Sequence, residues 1–230
     1  MALRSRSILV AGFLLVAAVC ARLGVWQVSR LRERRSANVV ALAARSAAAI
    51  QVEGRGLDRS SINRRVIVRG RYDHAHDIVL RGREYRGVPG VEIVSPLLPQ
   101  AGGTAILVNR GFLPAPDAVT ADPHTVRETG PVQVKGIALA LDSTGGAPLH
   151  RGDLITWARL DRGAIGKVLP YPVAPVYIRQ TPDSALPGFP RRLEAPSVDD
   201  GPHLSYAIQW FAFSIIAVVF AGIMLKQPKP

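Results

Sequence analysis

His203, Tyr206, Ala207 and Trp210 stand at i, i+3, i+4 and i+7 at the start of an apolar run, so a helix puts all four on one face. A neutral imidazole between aromatic rings, with small Ala207 leaving room beside them, suits axial ligation of a haem iron and contact with its flat macrocycle. An interfacial belt uses the same residue types, because amphipathic Tyr, Trp and His gather at headgroup depth. Trp26, Gln27 and Arg30 form a matching aromatic and basic face. Arg22 or Arg30 could pair with the carboxylates of an anionic ligand, and lipid headgroups would use the same guanidinium groups.

Other constellations carry less chemistry. His74-Ala75-His76-Asp77 places two imidazoles at i and i+2, as a metal site might begin, but it falls between strand-like runs where a polar turn is expected. His124 and His150 are isolated. In Leu107-Val108-Asn109-Arg110-Gly111-Phe112, Arg110 could clamp a partner or tie loops together from within, with Gly111 beside it. No nucleophile elbow, zinc-protease motif, Walker loop or dinucleotide fingerprint occurs, and Cys20 lies in an apolar run where a thiolate is poorly solvated. No catalytic residue is assigned, and the chain is not expected to be an enzyme.

The elements that hold these residues follow from composition. The chain has 230 residues, 48% hydrophobic, with one cysteine, which excludes a disordered chain and a disulfide scaffold. The net charge is +12, and the 15 Arg against 6 acidic residues between positions 22 and 86 account for most of it. Without a compact basic helix or zinc-finger spacing, this favours membrane lipids over nucleic acid as the partner.

Residues 8–28 and 204–225 are the two segments apolar and long enough to span a bilayer, given roughly 20 residues for about 30 Å. The first competes with a cleaved signal peptide having Arg4 and Arg6 as its basic region, or a lipoprotein signal ending at Cys20. The helical periodicity of Leu23, Trp26, Gln27 and Arg30 past the apolar run favours an uncleaved anchor. Lys226 and Lys229 place the C-terminus in the cytoplasm, and two spans return the N-terminus to the same side. Arg30, Arg32, Arg34 and Arg35 oppose that orientation, although loops longer than about 60 residues translocate with little regard to charge.

The layout expected is a cytoplasmic N-terminus (1–7), a first span (8–28), a juxtamembrane helical segment (29–50), an extracytoplasmic β domain (51–181), a Pro-rich linker (182–203), a second span (204–225) and a cytoplasmic tail (226–230). Alternating runs at 65–72, 77–80, 91–98, 104–109, 132–141, 154–160 and 176–179, separated by turn residues such as Gly87-Val88-Pro89-Gly90 and Ser143-Thr144-Gly145-Gly146, predict short strands. A helix is expected over 160–169. The fold class is a membrane protein with two transmembrane helices flanking a mainly antiparallel β domain, barrel- or sandwich-like, with a few short helices.

Ala21-Arg22-Leu23-Gly24-Val25-Trp26-Gln27-Val28-Ser29-Arg30 resembles the opening signature of the Surfeit locus protein 1 family of cytochrome c oxidase assembly proteins. Val68-Arg69-Gly70-Arg71-Tyr72, the block from Gly87 to Pro96 and the block from Leu107 to Phe112 resemble its middle blocks in order. His203-Leu204-Ser205-Tyr206-Ala207-Ile208-Gln209-Trp210-Phe211 resembles its closing signature, so the likeness covers roughly residues 8–225. It implies a bacterial-type member in the plasma membrane that matures aa3-type oxidases. The histidine implicated in haem a binding in that family matches His203. It further implies haem a as a carried cofactor, the oxidase catalytic subunit as partner, and haem a synthase as a second. In that picture His203 ligates iron, Tyr206, Trp210 and Trp26 line the ring, and Arg22 or Arg30 neutralises propionates. The alternative is a scaffold that grips the oxidase subunit and never carries haem.

Overall fold

The computed structural model describes residues 2–53, 56–145, 147–151 and 154–226. The Arg4 side chain, Gly146 of the expected turn and the tail beyond Lys226, with Lys229, lie outside the described residues. The chain divides into two units, Met1–Val40 with Val198–Pro230, and Ala41–Ser197. Three α-helices are α1 (Ala2–Ser46), α2 (Arg162–Ile165) and α3 (His203–Lys226). The strands are β1 (Ile50–Gln51), β2 (Arg65–Tyr72), β3 (Ile78–Tyr85), β4 (Val88–Pro99), β5 (Ala105–Pro114), β6 (Val132–Ala140), β7 (Leu149–Arg151), β8 (Leu154–Trp157) and β9 (Val173–Gln180).

In the helical unit, α1 and α3 are each long and apolar enough to cross a membrane. Val10, Ala17, Cys20, Gly24, Gln27 and Leu31 are the buried residues of α1, and half-buried Phe13 completes an alternating three–four spacing along one stripe. On α3 the matching stripe is His203, Ala207, Trp210, Ser214, Ala217 and Ala221. This is the seam of two helices packed knobs-into-holes, and its Gly and Ala residues let the backbones approach. The helices run antiparallel: Phe13 stacks on Phe220 at 5.7 Å, and Ser214 Oγ donates to Ala17 O at 2.8 Å. Phe211 lies against Gly24, where a Cβ would sit 2.7 Å from the ring. The remaining faces of both helices carry exposed Leu, Val, Ile and Phe, as hydrocarbon contact requires.

The β unit closes on itself. Strand β2 pairs antiparallel with β6, β6 antiparallel with β9, β9 parallel with β5, β5 antiparallel with β4, and β4 antiparallel with β2 again. The result is a five-stranded barrel, which removes sheet edges. Alternation in β2 turns Val66, Val68 and Tyr72 inward to meet Leu97, Ile106, Val108, Val134 and Ile178. A Cβ at Gly70 would collide with Leu98 O, so glycine permits the β2–β4 closure. Strand β3 extends the sheet from β4, β8 joins β3 in parallel, and β7 pairs with β8.

Several elements differ from their sequence readings. Helix α1 runs without interruption through the expected boundary at residue 28, because the Arg- and Ala-rich segment is itself a good helix former. The helix expected over 160–169 contracts to α2, with Asp161 capping its start and glycines at 163 and 166 weakening its continuation. The Pro-rich stretch is packed near its middle: Phe112 and Arg191 exchange backbone hydrogen bonds of 2.8 and 2.7 Å, and Arg192 is buried.

Candidate functional site

His203 opens α3, and its Nδ1 lies 2.9 Å from Gln27 Oε1 on α1. Gln27 is only 9% exposed, so its amide is held in place beside the ring. With Oε1 as the acceptor, a neutral imidazole carries its proton on Nδ1 and presents the Nε2 lone pair. That is the arrangement of a metal-ligating imidazole held in one tautomer by a second residue. The fit to a haem iron is therefore good on the donor chemistry of the residues themselves.

The other predicted residues separate into two groups. Trp26 is 49% exposed, with the Arg30 guanidinium 5.7 Å over its ring, while Arg30 also pairs with Glu33 at 2.8 Å. Arg22 and Trp26 share the lining of a hollow of about 540 Å3 with Val19, Leu23, Val25 and Ser29. On α3, Trp210 meets Phe213 edge-on at 6.0 Å, and Tyr206 is 47% exposed on the flank of the seam. The expected shared face thus divides: His203, Ala207 and Trp210 turn toward α1, and Tyr206 turns outward.

Gln27 as the partner of His203 is a residue that spacing did not reveal as such. Nor did spacing reveal the contacts ahead of α3. Arg35 donates to Asp200 at 2.8 Å, Arg34 Nε to Asp199 O at 3.2 Å, and Asn38 Nδ2 to Asp199 O at 2.9 Å. The Arg35 hydrogen bond holds the Asp200 carboxyl below its usual range. The Arg-dense stretch, opposed to the expected orientation by charge counting, here meets two acidic residues that enter α3.

Arg110 and Gly111 sit at a bulge. Ile93 faces Gly111 and Val94 faces Asn109, so Arg110 is the extra residue on β5, and the bulge turns its side chain inward. The guanidinium is fully buried, 4.9 Å over the Tyr72 ring, and donates to Glu128 Oε1 at 2.7 Å and to Val126 O. Arg192 donates to the same Glu128 oxygen and to Gln180 Oε1 at 3.2 Å. The buried Arg110 side chain cannot touch a partner; it ties β5 to the loop at Glu128. A Cβ on Gly111, whose φ is +128°, would strike Arg191 O. Burial raises the Tyr72 hydroxyl pKa well above its ordinary value, and that oxygen finds no hydrogen-bond partner among the described residues.

His74–His76 form a 3-10 turn between β2 and β3, and the two imidazoles go to different carboxylates. His74 Nδ1 lies 3.0 Å from Asp77 Oδ2, and His76 Nδ1 lies 2.7 Å from Asp73 Oδ2. Among the described residues no three His, Cys, Asp or Glu side chains converge as a metal site. Tyr171 donates to Asp73 at 2.5 Å. Although partial burial raises the Asp73 carboxyl, hydrogen bonds from Tyr171, His76 and Ala75 outweigh it and leave the pKa lowered.

Helices and barrel together define a β-barrel protein flanked in sequence by two candidate membrane helices, with a histidine at the start of the second that meets Gln27 of the first. The chain belongs to the SURF1 family, whose sequence profile matches residues 14–215. It is similar to an uncharacterised SURF1-like protein of Mycobacterium tuberculosis, 29% identical over 164 residues, which cover 69% of this chain and 58% of the relative. A Mycobacterium bovis relative gives the same figures of 29%, 69% and 58%. A SURF1-like protein of Monosiga brevicollis is 27% identical over 210 residues, covering 85% of this chain and 79% of the relative. The match to the mycobacterial relatives thus spans 58% of their length, somewhat over half.

Proposed function

We propose that the chain is a non-catalytic assembly factor for haem–copper cytochrome c oxidase. It holds haem a at the membrane edge and hands it to the catalytic subunit, with haem a synthase as the donor. The observation that carries this reading is the hydrogen bond from His203 Nδ1 to Gln27 Oε1, which leaves Nε2 free to ligate iron. Arg22 and Trp26 line a hollow on the exposed flank of α1, outside the buried stripe that carries Gln27, so in this reading they serve the propionates at the edge of the bound haem and not its iron. Arg30 and Trp26 add a cation and a ring at the same level, and Tyr206 and Trp210 add aromatic surface on α3. A single axial ligand keeps coordination weak enough for release. The orientation that fits is both termini in the cytoplasm of a bacterial plasma membrane and the barrel outside.

The test is the visible spectrum of protein purified after co-expression with haem a biosynthesis, compared with His203→Ala. Retention of stoichiometric haem a by the wild type and its loss from the folded variant supports the reading. Purification without haem, while the oxidase subunit is still captured, replaces it with the scaffold.

A further inference from the structure

Beyond the helical site, the barrel unit carries a second built surface. Strands β3 and β4 join through Arg86 and Gly87, with φ of +52° and +80°. Both positive values belong to the tight hairpin turn that normally takes Asn, Asp or Gly at the first position, so an arginine there is held against its backbone preference. Its guanidinium lies 5.4 Å from the centroid of the Tyr85 ring, and that of Arg191 lies 5.5 Å from the same centroid. No salt bridge among the described residues involves either cation.

Two hollows meet at these three residues. One of about 270 Å3 adds Val88, Phe112, Pro114 and Phe189, and has room for one large apolar side chain. Val88 and Phe189 are nearly half exposed. The other, about 550 Å3, has mixed walls that include Asp183, Ser184 and Glu194. Arg192 fixes the outer wall from beneath, donating to Pro187 O at 3.1 Å and Pro190 O at 2.9 Å. The surface is therefore preorganised, which lowers the ordering cost of binding.

We propose that the Tyr85, Arg86 and Arg191 surface docks an extended segment of a partner protein that carries an acidic residue beside a large apolar one. The apolar side chain fills the chamber over Phe112, and the carboxylate meets the two guanidinium groups. The choice of a peptide over an anionic lipid surface rests on charge: Glu194 in the adjoining hollow opposes a uniformly anionic layer and can accept a hydrogen bond from a peptide N–H, while Asp183 beside it is engaged by Lys135 and the Ala185 amide.

The experiment places the full chain in phosphatidylcholine nanodiscs and selects against it a displayed library of random peptides about twelve residues long. Expected is enrichment of sequences pairing Asp or Glu with an aromatic or large aliphatic residue. Their binding should weaken about tenfold or more in Arg191→Glu and Val88→Asp, and with rising salt. Arg86→Gly separates binding from folding, because glycine suits the turn: it should melt no lower than wild type yet bind more weakly. Lys167→Glu, in the exposed turn after α2, should bind as wild type. The proposal is overturned if no such pattern is enriched, or if enriched peptides ignore the three site variants. It is equally overturned if hydrogen-exchange protection of residues 85–88 and 189–191 appears on replacing part of the phosphatidylcholine with phosphatidylglycerol, without peptide, and disappears in Arg191→Glu. That last outcome assigns the surface to lipid.

Discussion

His203 and Gln27, 176 positions apart in the chain, meet across the two-helix seam with Nδ1 and Oε1 separated by 2.9 Å. The amide decides which imidazole nitrogen carries the proton, and so which one is available to a metal. Gln27→Leu removes the acceptor while keeping the seam apolar. Haem affinity in that variant should fall about 10- to 100-fold, the usual effect of losing an outer partner of a ligating histidine. Gln27→Glu keeps an acceptor and should retain most of the affinity, as read by absorbance titration. Equal affinity in Leu and wild type would show that the amide does not tune the imidazole.

The approach of Phe211 to Gly24 governs how closely the helices pack. Gly24→Val should lower stability in micelles by about 1–3 kcal/mol through overpacking. Phe211→Ala in the same chain should recover part of that loss, so the two changes will not add. Strict additivity of the thermal shifts would remove Gly24 as the point of contact.

In the barrel, Glu128 holds two buried guanidinium groups, Arg110 and Arg192. Arg110→Met leaves Glu128 paired with Arg192 but strips the buried Val126 carbonyl of its donor, and should cost about 1–3 kcal/mol. The exposed Arg35–Asp200 pair, with side chains 57% and 41% exposed, should lose no more than about 1 kcal/mol in Arg35→Ala. Urea midpoints at low and high salt distinguish them, since only the exposed pair is strongly screened.

Asp73 supplies a pH dependence with a defined sign. Its folded pKa is lowered by hydrogen bonds from Tyr171 and His76 that outweigh desolvation, and its unfolded value is about 3.9. The stabilisation is fully present above the unfolded pKa and is lost as pH falls through the folded one. Unfolding free energy of wild type should therefore decline as pH drops below about 4. Asp73→Asn should flatten that part of the acid limb, measured by denaturation at a series of pH values. An unchanged limb would mean that the carboxylate contributes nothing there.

Periodicity made much of this molecule legible. The apolar runs mark both candidate spans, alternation marks β2 and β6 within a residue of their ends, and the order of short runs points to a barrel or sandwich, which the strand pairing resolves as a barrel. His203, Ala207 and Trp210 share a face because the helical repeat is local. Two-residue β1 and three-residue β7 are too short to show a period, and β5 runs on past the expected 104–109 to Pro114, its first eight residues buried.

What residue types and spacing determined by themselves is the two long helices, the longer strands and the histidine that opens α3. Only the tertiary structure decided that Gln27 faces that histidine and that Tyr206 does not share its seam. The parallel pairing of β5 with β9, the inward Arg110 and the packed Pro-rich segment were likewise decided there. The physical reason is that periodicity reports burial along one element. Which distant element supplies that burial depends on strand closure, bulge position and the space left between backbones, and no single stretch of residues encodes those.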